Sequence, residues 1–552
     1  MSSSEDVVQA RPYSNYSHSI QFPGTHVVDV EMVSSIPTLL RQNELGKQLV
    51  VRPRSGGHDY SYVTTGTGPI LLLNLDHLQD IEWDAITQRI GVEPGVTFAM
   101  ASTYLEGKGK KGTYPRKFVP SSLRNFPMCN NLTLVGSFCM NSHGSGYQAS
   151  WVDQVEAIEV IRAGSPPGTP PATVFRQGAT ADEFAAWAGG MGVLGVITRL
   201  WARTYPIEKI RDTHLFFHSF AEVETYFANE GKDAGGAVLP LAFTKEQNFD
   251  QIFWTPLSDH FIVLTRRFPS TIERKHLDDV HARESQTWWG EHIVDPLVPT
   301  GAKLVNNFRS WKIIAPHTAA NWTASSYEGE IETLGIYNTL FRLNEPVSNV
   351  VQRLNRAYDV GEDCELFFPV ETTADCFRIL RAYNDVLRIV MKDNDIKDDK
   401  WLSSIAKPLI EEHQLEKRML DCTADRRAAY TAPMEVRFLP ATTISAMAPN
   451  YKQNCMAISF AWFGTDSPHH EANRRFHRFL LAFGWKAFKA VFHSGKFNML
   501  ESHAPEDLEI IEGWKEHYAE GRERLRKYIS KTSEQFVTPM LKSFIFEAKG
   551  NL

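Results

Sequence analysis

The chain has 552 residues, of which 43% are hydrophobic and 22% charged, a composition typical of a globular protein. Lys and Arg total 58 against 65 Asp and Glu, which gives a net charge of −7. This balance argues against a protein that holds nucleic acid through a basic surface, and it gives no attraction to an anionic membrane. At roughly 100–200 residues per domain, the length predicts two to four domains.

The cysteines and the N-terminus bear on the compartment. The six cysteines form no C-x-x-C pair, so no structural zinc site is predicted, and so few thiols suit a reducing compartment. The first residues, MSSSEDVVQARPYSNY, lack the apolar core of a secretory signal, and no run of about 18 apolar residues could span a membrane. We therefore expect a cytoplasmic protein with no membrane partner.

Short strands separated by glycine turns are predicted up to about residue 206. In chain order, the strand segments are KQLVVRPR, GPILLLNLDHLQDIEWD, QRIGVEPGVTFA, VEAIEVIRAG, ATVFRQG and GVITRLWARTYP. TFAMASTYLEGKGK and TADEFAAWAGGMG are predicted as helices that end at glycine. SPPGTPP joins two strands, and because strand signals flank it closely we predict a hairpin loop there, not a domain linker.

Longer helices and further strands are predicted in the rest of the chain. Helices are indicated by TTADCFRILRAYNDVLRIVM, HHEANRRFHRFLLAFGW and PEDLEIIEGWKEHYAEGRERLRKYI, and strands by MEVRFLPA and CMAISFAWFG. In the second of these helices, Phe476, Phe479, Leu480 and Phe483 share one face, which makes the helix amphipathic.

The segment RPRSGGH, residues 52–58, carries the first candidate site. It follows a predicted strand, and Gly56 and Gly57 permit the positive φ angles of a tight turn. Such a turn can cluster backbone amides into a phosphate-binding concavity, and Arg52 or Arg54 could add charge for a pyrophosphate. This segment contains neither G-x-G-x-x-G nor a Walker lysine. Taken alone, a G-G-H loop is more often a plain turn.

Two further segments of small residues strengthen the case for a site. LVGSFCMNSHGSGY, residues 134–147, is predicted as a loop in which Asn141, Ser142, Ser145 and Gly146 could meet a phosphate or a flavin edge. GGMGVLGVITRL ends the same region, and its small residues would let the backbone lie against a flat ligand.

These three segments, in this order, resemble the vanillyl-alcohol-oxidase (PCMH-type) flavoprotein superfamily. The matching patterns are R-x-x-G-x-G/G-H, then V-G-G/S with H-G near its end, then G-x-x-G-V/I-I-T. The resemblance implies FAD as the cofactor and an α+β fold. It also implies a two-subdomain FAD-binding domain over residues 1–206, a substrate (cap) domain over 207–490, and a segment over 491–552 that packs back on the FAD domain.

The resemblance further implies which residues contact FAD. They lie in the three loops: Arg54, Ser55, Gly56, Gly57, His58 and Asp59; Val135, Gly136, Ser137, Asn141, Ser142 and Gly144; Gly192, Gly195, Val196 and Ile197. The histidine at the position of His58 is commonly bonded to the flavin 8α-methyl carbon; the alternative is a loop histidine beside non-covalent FAD. His143 is the weaker candidate for that bond. Some relatives have a second, cysteinyl link, but the context of Cys129 differs and we expect a free thiol.

The segment Met434–Phe438, MEVRF, carries a candidate catalytic pair. In a strand, alternation with period two places Glu435 and Arg437 on one face. A buried carboxylate beside a guanidinium stays ionised, and the pair could bind a hydroxyl or assist its deprotonation. By spacing alone, a structural ion pair is the more common interpretation.

MEVRF, CMAISFAWFG and FHSGKFN together resemble the C-terminal region of the sugar-1,4-lactone oxidases and alditol oxidases. The resemblance implies that Glu435 and Arg437 face the substrate and flavin N5, and that Lys496 faces the N1–C2 side of the flavin. A cation there would stabilise the negative charge that develops on reduction. Ser137 matches a serine that contacts substrate.

The chain departs from these oxidases at three of the expected substrate positions. Ser459 replaces a common histidine, Ala461 replaces a threonine, and Ser494 replaces a tryptophan between His493 and Lys496. Ser459, Ala461 and His493 remain candidate substrate contacts, but loss of polyol contacts implies a substrate that is not a simple alditol. The extra length between 206 and 430 includes tryptophans that either fill the core or line a pocket for a larger, less polar substrate, among them Trp254, Trp288, Trp289, Trp311 and Trp322.

The sequence therefore predicts an FAD-dependent oxidase that moves hydride from a hydroxyl-bearing carbon of a small-molecule alcohol or lactol to flavin N5, with O2 as the acceptor that yields H2O2. One alternative is a dehydrogenase with another acceptor. A second is a degenerate flavin-bearing binding protein, suggested by Ser459 and Ser494. No metal is predicted, because His469, His470 and His493 stand in no H-E-x-x-H or similar arrangement. His469 and His470 follow Pro468 at a helix start and are expected to face solvent.

Overall fold

The computed structural model describes most of the chain, and every structural statement below concerns these residues. They are 9–15, 20–46, 49–58, 69–108, 118–125, 127, 131–146, 150–207, 209–230, 251–255, 260–267, 331–336, 360–391, 405–424, 434–464, 467–529 and 533–547. Asp59, Cys129 and the tryptophans at 288, 289, 311 and 322 lie outside them.

The described strands are spread over the whole chain. They are β1 Gln9–Ser14, β2 Gln21–Asp29, β3 Val50–Arg54, β4 Ile70–Asn74, β5 Ile81–Asp84, β6 Arg89–Val92, β7 Ser121–Ser122, β8 Val155–Arg162, β9 Ala172–Phe175, β10 Gly195–Arg203, β11 Tyr205–Pro206, β12 Lys209–Phe217, β13 Gln251–Thr255, β14 His260–Arg267, β15 Ile331–Ile336, β16 Val360–Pro369, β17 Met434–Leu439, β18 Cys455–Gly464 and β19 Val491–Phe492.

The described α-helices are shorter in the first part of the chain than in the second. They are α1 Ile36–Leu45, α2 Phe98–Leu105, α3 Leu134–Met140, α4 Ala181–Trp187, α5 Phe220–Glu230, α6 Thr373–Met391, α7 Ala406–Glu412, α8 Glu416–Ala424, α9 Ser467–Phe488, α10 Pro505–His517, α11 Ala519–Tyr528 and α12 Pro539–Phe546.

Three larger sheets organise these elements. A four-stranded sheet has the order β1-β2-β4-β3, a five-stranded sheet β5-β6-β10-β8-β9, and an eight-stranded sheet β15-β12-β14-β13-β17-β18-β16-β19. β4 pairs in parallel with both β2 and β3, which requires the crossover that α1 supplies. The eight-stranded sheet is antiparallel and buries one face under α6 and α9, which leaves its other face for polar side chains.

The predicted α+β fold is confirmed, and most predicted elements form. The SPPGTPP segment joins β8 and β9, which pair antiparallel as a hairpin. The apolar stripe of α9 is buried, with Phe476 and Phe479 each 1% exposed. Trp254 is 0% exposed and packs against Phe261, so this tryptophan belongs to the core.

Two predictions about local structure were wrong. The single helix expected near the C-terminus is divided into α10 and α11, and Tyr518, which lies between them, donates its hydroxyl to the Phe492 carbonyl at 3.1 Å. LVGSFCM is the helix α3, not a loop, because the Thr133 side chain caps it by accepting from the Gly136 amide at 3.3 Å.

The proposed division at residues 206 and 490 stays a prediction. β19 pairs with β16 in the eight-stranded sheet. Farther along the chain, α11 packs on α4, and Lys527 Nζ lies 2.5 Å from Asp182 Oδ2.

No described helix is both long and apolar enough to cross a membrane.

Arg52 is a structural clamp, not the pyrophosphate contact that its position suggested. Its side chain is 1% exposed and donates to the carbonyl oxygens of Met191 and of Phe536, the latter at 2.6 Å. It thereby ties β3 to the third small-residue loop and to the turn Ser533–Phe536.

Replacing Arg52 by methionine is expected to lower the free energy of unfolding by about 2 kcal/mol, because it leaves buried carbonyl groups without donors. Urea denaturation measures this change. Arg41→Met is the control: this side chain is 50% exposed and pairs only with its helix neighbour Glu44, so a change below about 0.5 kcal/mol is expected. Equal effects of the two substitutions would contradict a stabilising role for the hydrogen bonds of Arg52.

Candidate functional site

The loop after β3 forms the predicted turn and surrounds the carboxylate of Asp76. Gly56 and Gly57 have φ angles of 68° and 65°. A Cβ on Gly57 would lie 2.8 Å from Nη2 of Arg54, and at this positive φ any other residue would be strained. The carboxylate of Asp76 accepts from the Gly56 amide at 2.7 Å and from Arg54 Nη1 at 2.6 Å. This loop therefore surrounds the Asp76 carboxylate with backbone and guanidinium N–H groups, a contact that sequence reasoning missed.

The helix α3 meets this loop at its N-terminal end. Ser55 Oγ lies 2.9 Å from Thr133 Oγ1, the capping oxygen of the helix. At the other end, Asn141 adopts a left-handed conformation with φ 54°. The Oγ of Ser137 and both polar atoms of the Asn141 amide are buried and have no hydrogen-bond partner within the described part of the chain. Buried polar atoms of this kind point to a ligand that would satisfy them.

The third loop packs against α3 and β3. The amides of Gly189 and Met191 donate to carbonyls of Phe138 and Cys139, each at 3.0 Å. A Cβ on Gly192 would lie 3.3 Å from Pro53 Cγ, which places this glycine beside the first loop. The three loops expected to hold one ligand are therefore neighbours.

The strand that follows the third loop mainly serves packing. A Cβ on Gly195 would lie 2.4 Å from the Ile161 carbonyl oxygen, so this glycine is required by the close approach of β8. Val196 and Ile197 are 0% and 4% exposed in two hydrophobic clusters. Contacts of these three residues with FAD stay a prediction.

The loop after α3 also holds the strand that carries the candidate catalytic pair. Ser145 Oγ accepts from the Phe438 amide at 3.0 Å, and the Gly146 amide donates to the Phe438 carbonyl at 3.0 Å. The Ser142 amide donates to the carbonyl of Ser137 at 2.9 Å. Segments almost 300 residues apart in the chain are thus joined, and β17 lies beside α3.

Glu435 and Arg437 lie on one face of β17, as predicted, and form a two-point ion pair. Arg437 Nε donates to Glu435 Oε1 at 2.6 Å, and Nη2 donates to Oε2. Gln251 on β13 also donates to Glu435 Oε1. A guanidinium held in this fork has a fixed orientation.

Two acidic residues of β16 complete a polar face on the eight-stranded sheet. Glu365 lies opposite Ser459, which in turn lies opposite Glu435, so the three share one face. Glu365 Oε1 is 3.6 Å from Arg437 Nη1. Asp363 accepts from Ser459 Oγ at 2.7 Å. Sequence reasoning missed both acids, although their alternation in EDCELFFP was the available signal.

Lys496 reaches this face from the C-terminal part of the chain. Its Nζ lies 2.5 Å from Asp363 Oδ2, and the Phe497 amide donates to the Asp363 carbonyl at 2.8 Å. Three residues earlier, the His493 amide donates to the Glu365 carbonyl at 3.1 Å. Ala461 lies opposite Asp363 in the sheet. The predicted catalytic residues and substrate candidates of the C-terminal region therefore meet on one surface.

Comparison with known proteins identifies the first part of the chain. Residues 26–165 match the family described as FAD binding domain. The fold is similar to that of a cholesterol oxidase from B. sterolicum, with a TM-score of 0.60 and 13% identity over 98% of this chain and 97% of that one. Residues 26–165 form an FAD-binding domain. No curated protein matches the sequence at a significant level.

Two further structures support the same fold. A mutant cholesterol oxidase from Brevibacterium sterolicum and a solvent-stable cholesterol oxidase each give a TM-score of 0.59, with 13% and 12% identity and coverage of 98% of both chains. At these identities the similarity concerns the fold alone.

The residues of the FAD-binding domain fit its cofactor. The buried polar atoms of Ser137 and Asn141, which have no hydrogen-bond partner within the described residues, are suited to polar groups of the cofactor. The Gly56 amide and Arg54 are instead engaged by the Asp76 carboxylate. Ser55 and Gly136 lie where the first loop meets α3: a Cβ on Gly136 would be 3.7 Å from Ser55 Oγ. Val135 is buried in the core beneath.

The ionisation of the polar face follows from burial and pairing. Burial raises the pKa of Glu435, although the charge of Arg437 opposes the shift. Burial also lowers the pKa of Arg437, but the charges of Glu435 and Glu365 outweigh it and the net shift is upward. Burial would raise the pKa of Glu365, yet His143 and Arg437 hold it well below its usual range.

His58 is electrostatically linked to the polar face. Burial, and then the charges of Lys496 and Arg54, lower the pKa of His58 from 6.5 to about 4. His58 is therefore neutral at physiological pH. The charge of Lys496, which lies on the polar face, acts on this histidine of the FAD-binding domain.

His470 does not face solvent as expected. Its Nε2 lies 3.8 Å from Glu362 Oε1, and Arg474 donates to the same oxygen at 2.5 Å. The cause is tertiary, because the first turn of α9 packs over the side of β16 that carries Glu362.

Proposed function

We propose that this protein is an FAD-dependent oxidase that oxidises a hydroxyl-bearing carbon and uses O2 as the acceptor, with release of H2O2. The main support is one spatial arrangement. The glycine loop that bears His58 and the face that bears Lys496 and the Glu435–Arg437 pair lie close enough for the Lys496 charge to act on His58.

The proposed chemistry assigns separate tasks to the residues on the polar face. Bound FAD would supply the hydride acceptor. Arg437, held by Glu435, would orient the substrate hydroxyl, and Glu435, whose pKa is raised by burial, is suited to receive its proton. Lys496 would place a positive charge near the negative charge that the flavin gains when it accepts hydride.

The proposed substrate is a large, weakly polar secondary alcohol. Ser459, which replaces the histidine of the lactone oxidases, donates to Asp363 and is thereby engaged within the protein. The similar folds are those of cholesterol oxidases, which favours a sterol-sized alcohol over a sugar lactone. A sugar-lactone substrate is the second candidate.

A substrate panel tests the activity. Sterols, long-chain alcohols, alditols and sugar lactones are incubated with the purified protein, and H2O2 and flavin absorbance are followed. We expect reduction and peroxide formation with an apolar alcohol. Reduction that needs an artificial acceptor would favour a dehydrogenase. Bound FAD that no alcohol reduces would favour a binding protein.

We also propose that FAD is bonded through the 8α-methyl carbon to His58. A neutral imidazole can supply the electron pair for this bond, and the depressed pKa keeps His58 neutral. As the bond forms, an 8α-methyl C–H bond and the imidazole N–H bond would each lose a proton, and the two electrons released would pass to O2. We expect acid-precipitated protein to retain the yellow colour. His58→Ala is expected to release the colour into the supernatant, while control His77→Ala, at an exposed histidine of the same domain, retains it.

The pH dependence of the attachment follows from the same shift. Incorporation of FAD into the apoprotein should be constant from neutral pH down to roughly pH 5 and fall towards the pKa of about 4. Circular dichroism at each pH separates this loss from unfolding. A midpoint near the ordinary histidine value would contradict the assigned environment of His58.

A further inference from the structure

The polar face holds three carboxylates but only two permanently charged cations among the described residues. Asp363, Glu365 and Glu435 are 9%, 2% and 8% exposed. Lys496 pairs with Asp363, and Arg437 pairs with Glu435 through two nitrogens. Of these two cations, Arg437 is the one near Glu365, with its Nη1 3.6 Å from Glu365 Oε1. A buried carboxylate with incomplete pairing is costly, so a further positive charge is expected beside Glu365.

His143, from the loop after α3, is the group that faces Glu365. Its Nε2 lies 3.5 Å from Glu365 Oε1, and each side chain is 2% exposed. Its Nδ1 lies 2.9 Å from the Gly144 carbonyl oxygen. Because a carbonyl only accepts, Nδ1 carries a proton. A neutral ring would then turn the lone pair of Nε2 towards a carboxylate oxygen, so a cation must lie between these two atoms.

The hydrogen bonding of His493 indicates whether that cation is a proton or a metal ion. Ligand atoms of His143, Glu365 and His493 lie within 4.8 Å of one another, a spacing that a metal ion could bridge. However, His493 Nδ1 accepts from the Gly495 amide at 3.0 Å, so the proton of the neutral ring lies on Nε2. Metal binding at Nε2 would move that proton to Nδ1, where it would face the amide N–H. The guanidinium of Arg437 adds further repulsion.

We propose that His143 is protonated on both ring nitrogens and forms a buried imidazolium–carboxylate pair with Glu365, which fixes the Arg437 guanidinium on the side opposite Glu435. In this arrangement His143 and Glu365 are positioning residues. The groups around the pair are Arg437 and Glu435 from β17, His493 after β19, and the Phe367 ring, whose centre is 5.0 Å from that of His143. Only the role of Arg437 in this proposal rests on the proposed function.

Nuclear magnetic resonance of the full-length protein, labelled with ¹⁵N in histidine, tests the pair at neutral pH. The signal lost in His143→Gln assigns the ring. In the unaltered protein we expect protons on both nitrogens of His143. Glu365→Gln should keep the fold, because a glutamine amide can donate to Nε2, and should leave His143 with the Nδ1 proton alone. Glu362→Gln, a buried glutamate of the same strand paired with Arg474, is the control and should leave His143 doubly protonated.

Two results would overturn the proposal: a neutral His143 in the unaltered protein, or a stoichiometric metal that removes the Nε2 proton, tested by metal analysis and by adding Zn²⁺. Neither measurement requires turnover or bound FAD. Failure of the ion pair and failure of the oxidase proposal are therefore separate outcomes. Where Glu365→Gln destabilises the fold, the resonances of the unaltered protein alone decide the question.

Discussion

Replacing Lys496 by methionine is expected to slow the reduction of bound FAD by its substrate by about 10²-fold or more, the scale of losing one group that stabilises charge in the transition state. Methionine keeps much of the length of lysine but removes its charge. Stopped-flow absorbance with the best alcohol from the panel measures the rate. The midpoint potential of bound FAD is expected to fall as well, because a positive charge beside the flavin favours its reduced form.

Lys452→Met is the matched control for this experiment. Lys452 is exposed, and its Nζ lies 2.7 Å from Glu520 Oε2. The same chemical change there should leave both the rate and the potential unaltered. A normal reduction rate in the Lys496 variant would remove this residue from the mechanism, while equal losses in both variants would point to a general effect of charge.

Replacing Arg437 by methionine is expected to lower the free energy of unfolding by roughly 3–5 kcal/mol, the cost of leaving a buried charge without its partner. Glu435 loses both of its contacts with the guanidinium, and Glu365 loses the contact at 3.6 Å. Urea denaturation monitored by circular dichroism measures the change. Flavin reduction by substrate should be lost in the same variant, because Arg437 is the residue proposed to orient the hydroxyl.

A double variant separates the two consequences. Glu435→Gln combined with Arg437→Met replaces the ionised pair by uncharged side chains, so part of the stability should return, since a buried pair is often no better than an uncharged replacement. Activity should not return. Recovery of both would mean that the pair is only structural, which is the more common role of such a spacing.

The elements that carry the site could be predicted from local patterns. A strand that runs into two adjacent glycines forms a turn whatever surrounds it, because only glycine adopts the positive φ of Gly56 and Gly57 without strain. Alternation with period two placed Glu435 and Arg437 on one face, and their ion pair confirms it. The order of the three small-residue loops indicated the FAD-binding domain that residues 26–165 match.

The partners of those residues depended on tertiary structure. Asp76 occupies the turn, Asp363 holds Lys496, and Glu365 joins Arg437 to His143. Each partner is set by which strands become neighbours and in what register, and the strands involved lie far apart in sequence. Local propensity does not predict strand neighbours or register, and a register shift of one residue turns every side chain to the other face. The sequence alone therefore determined which residue types could form a flavin site, and only the folded sheet decided which charges meet within it.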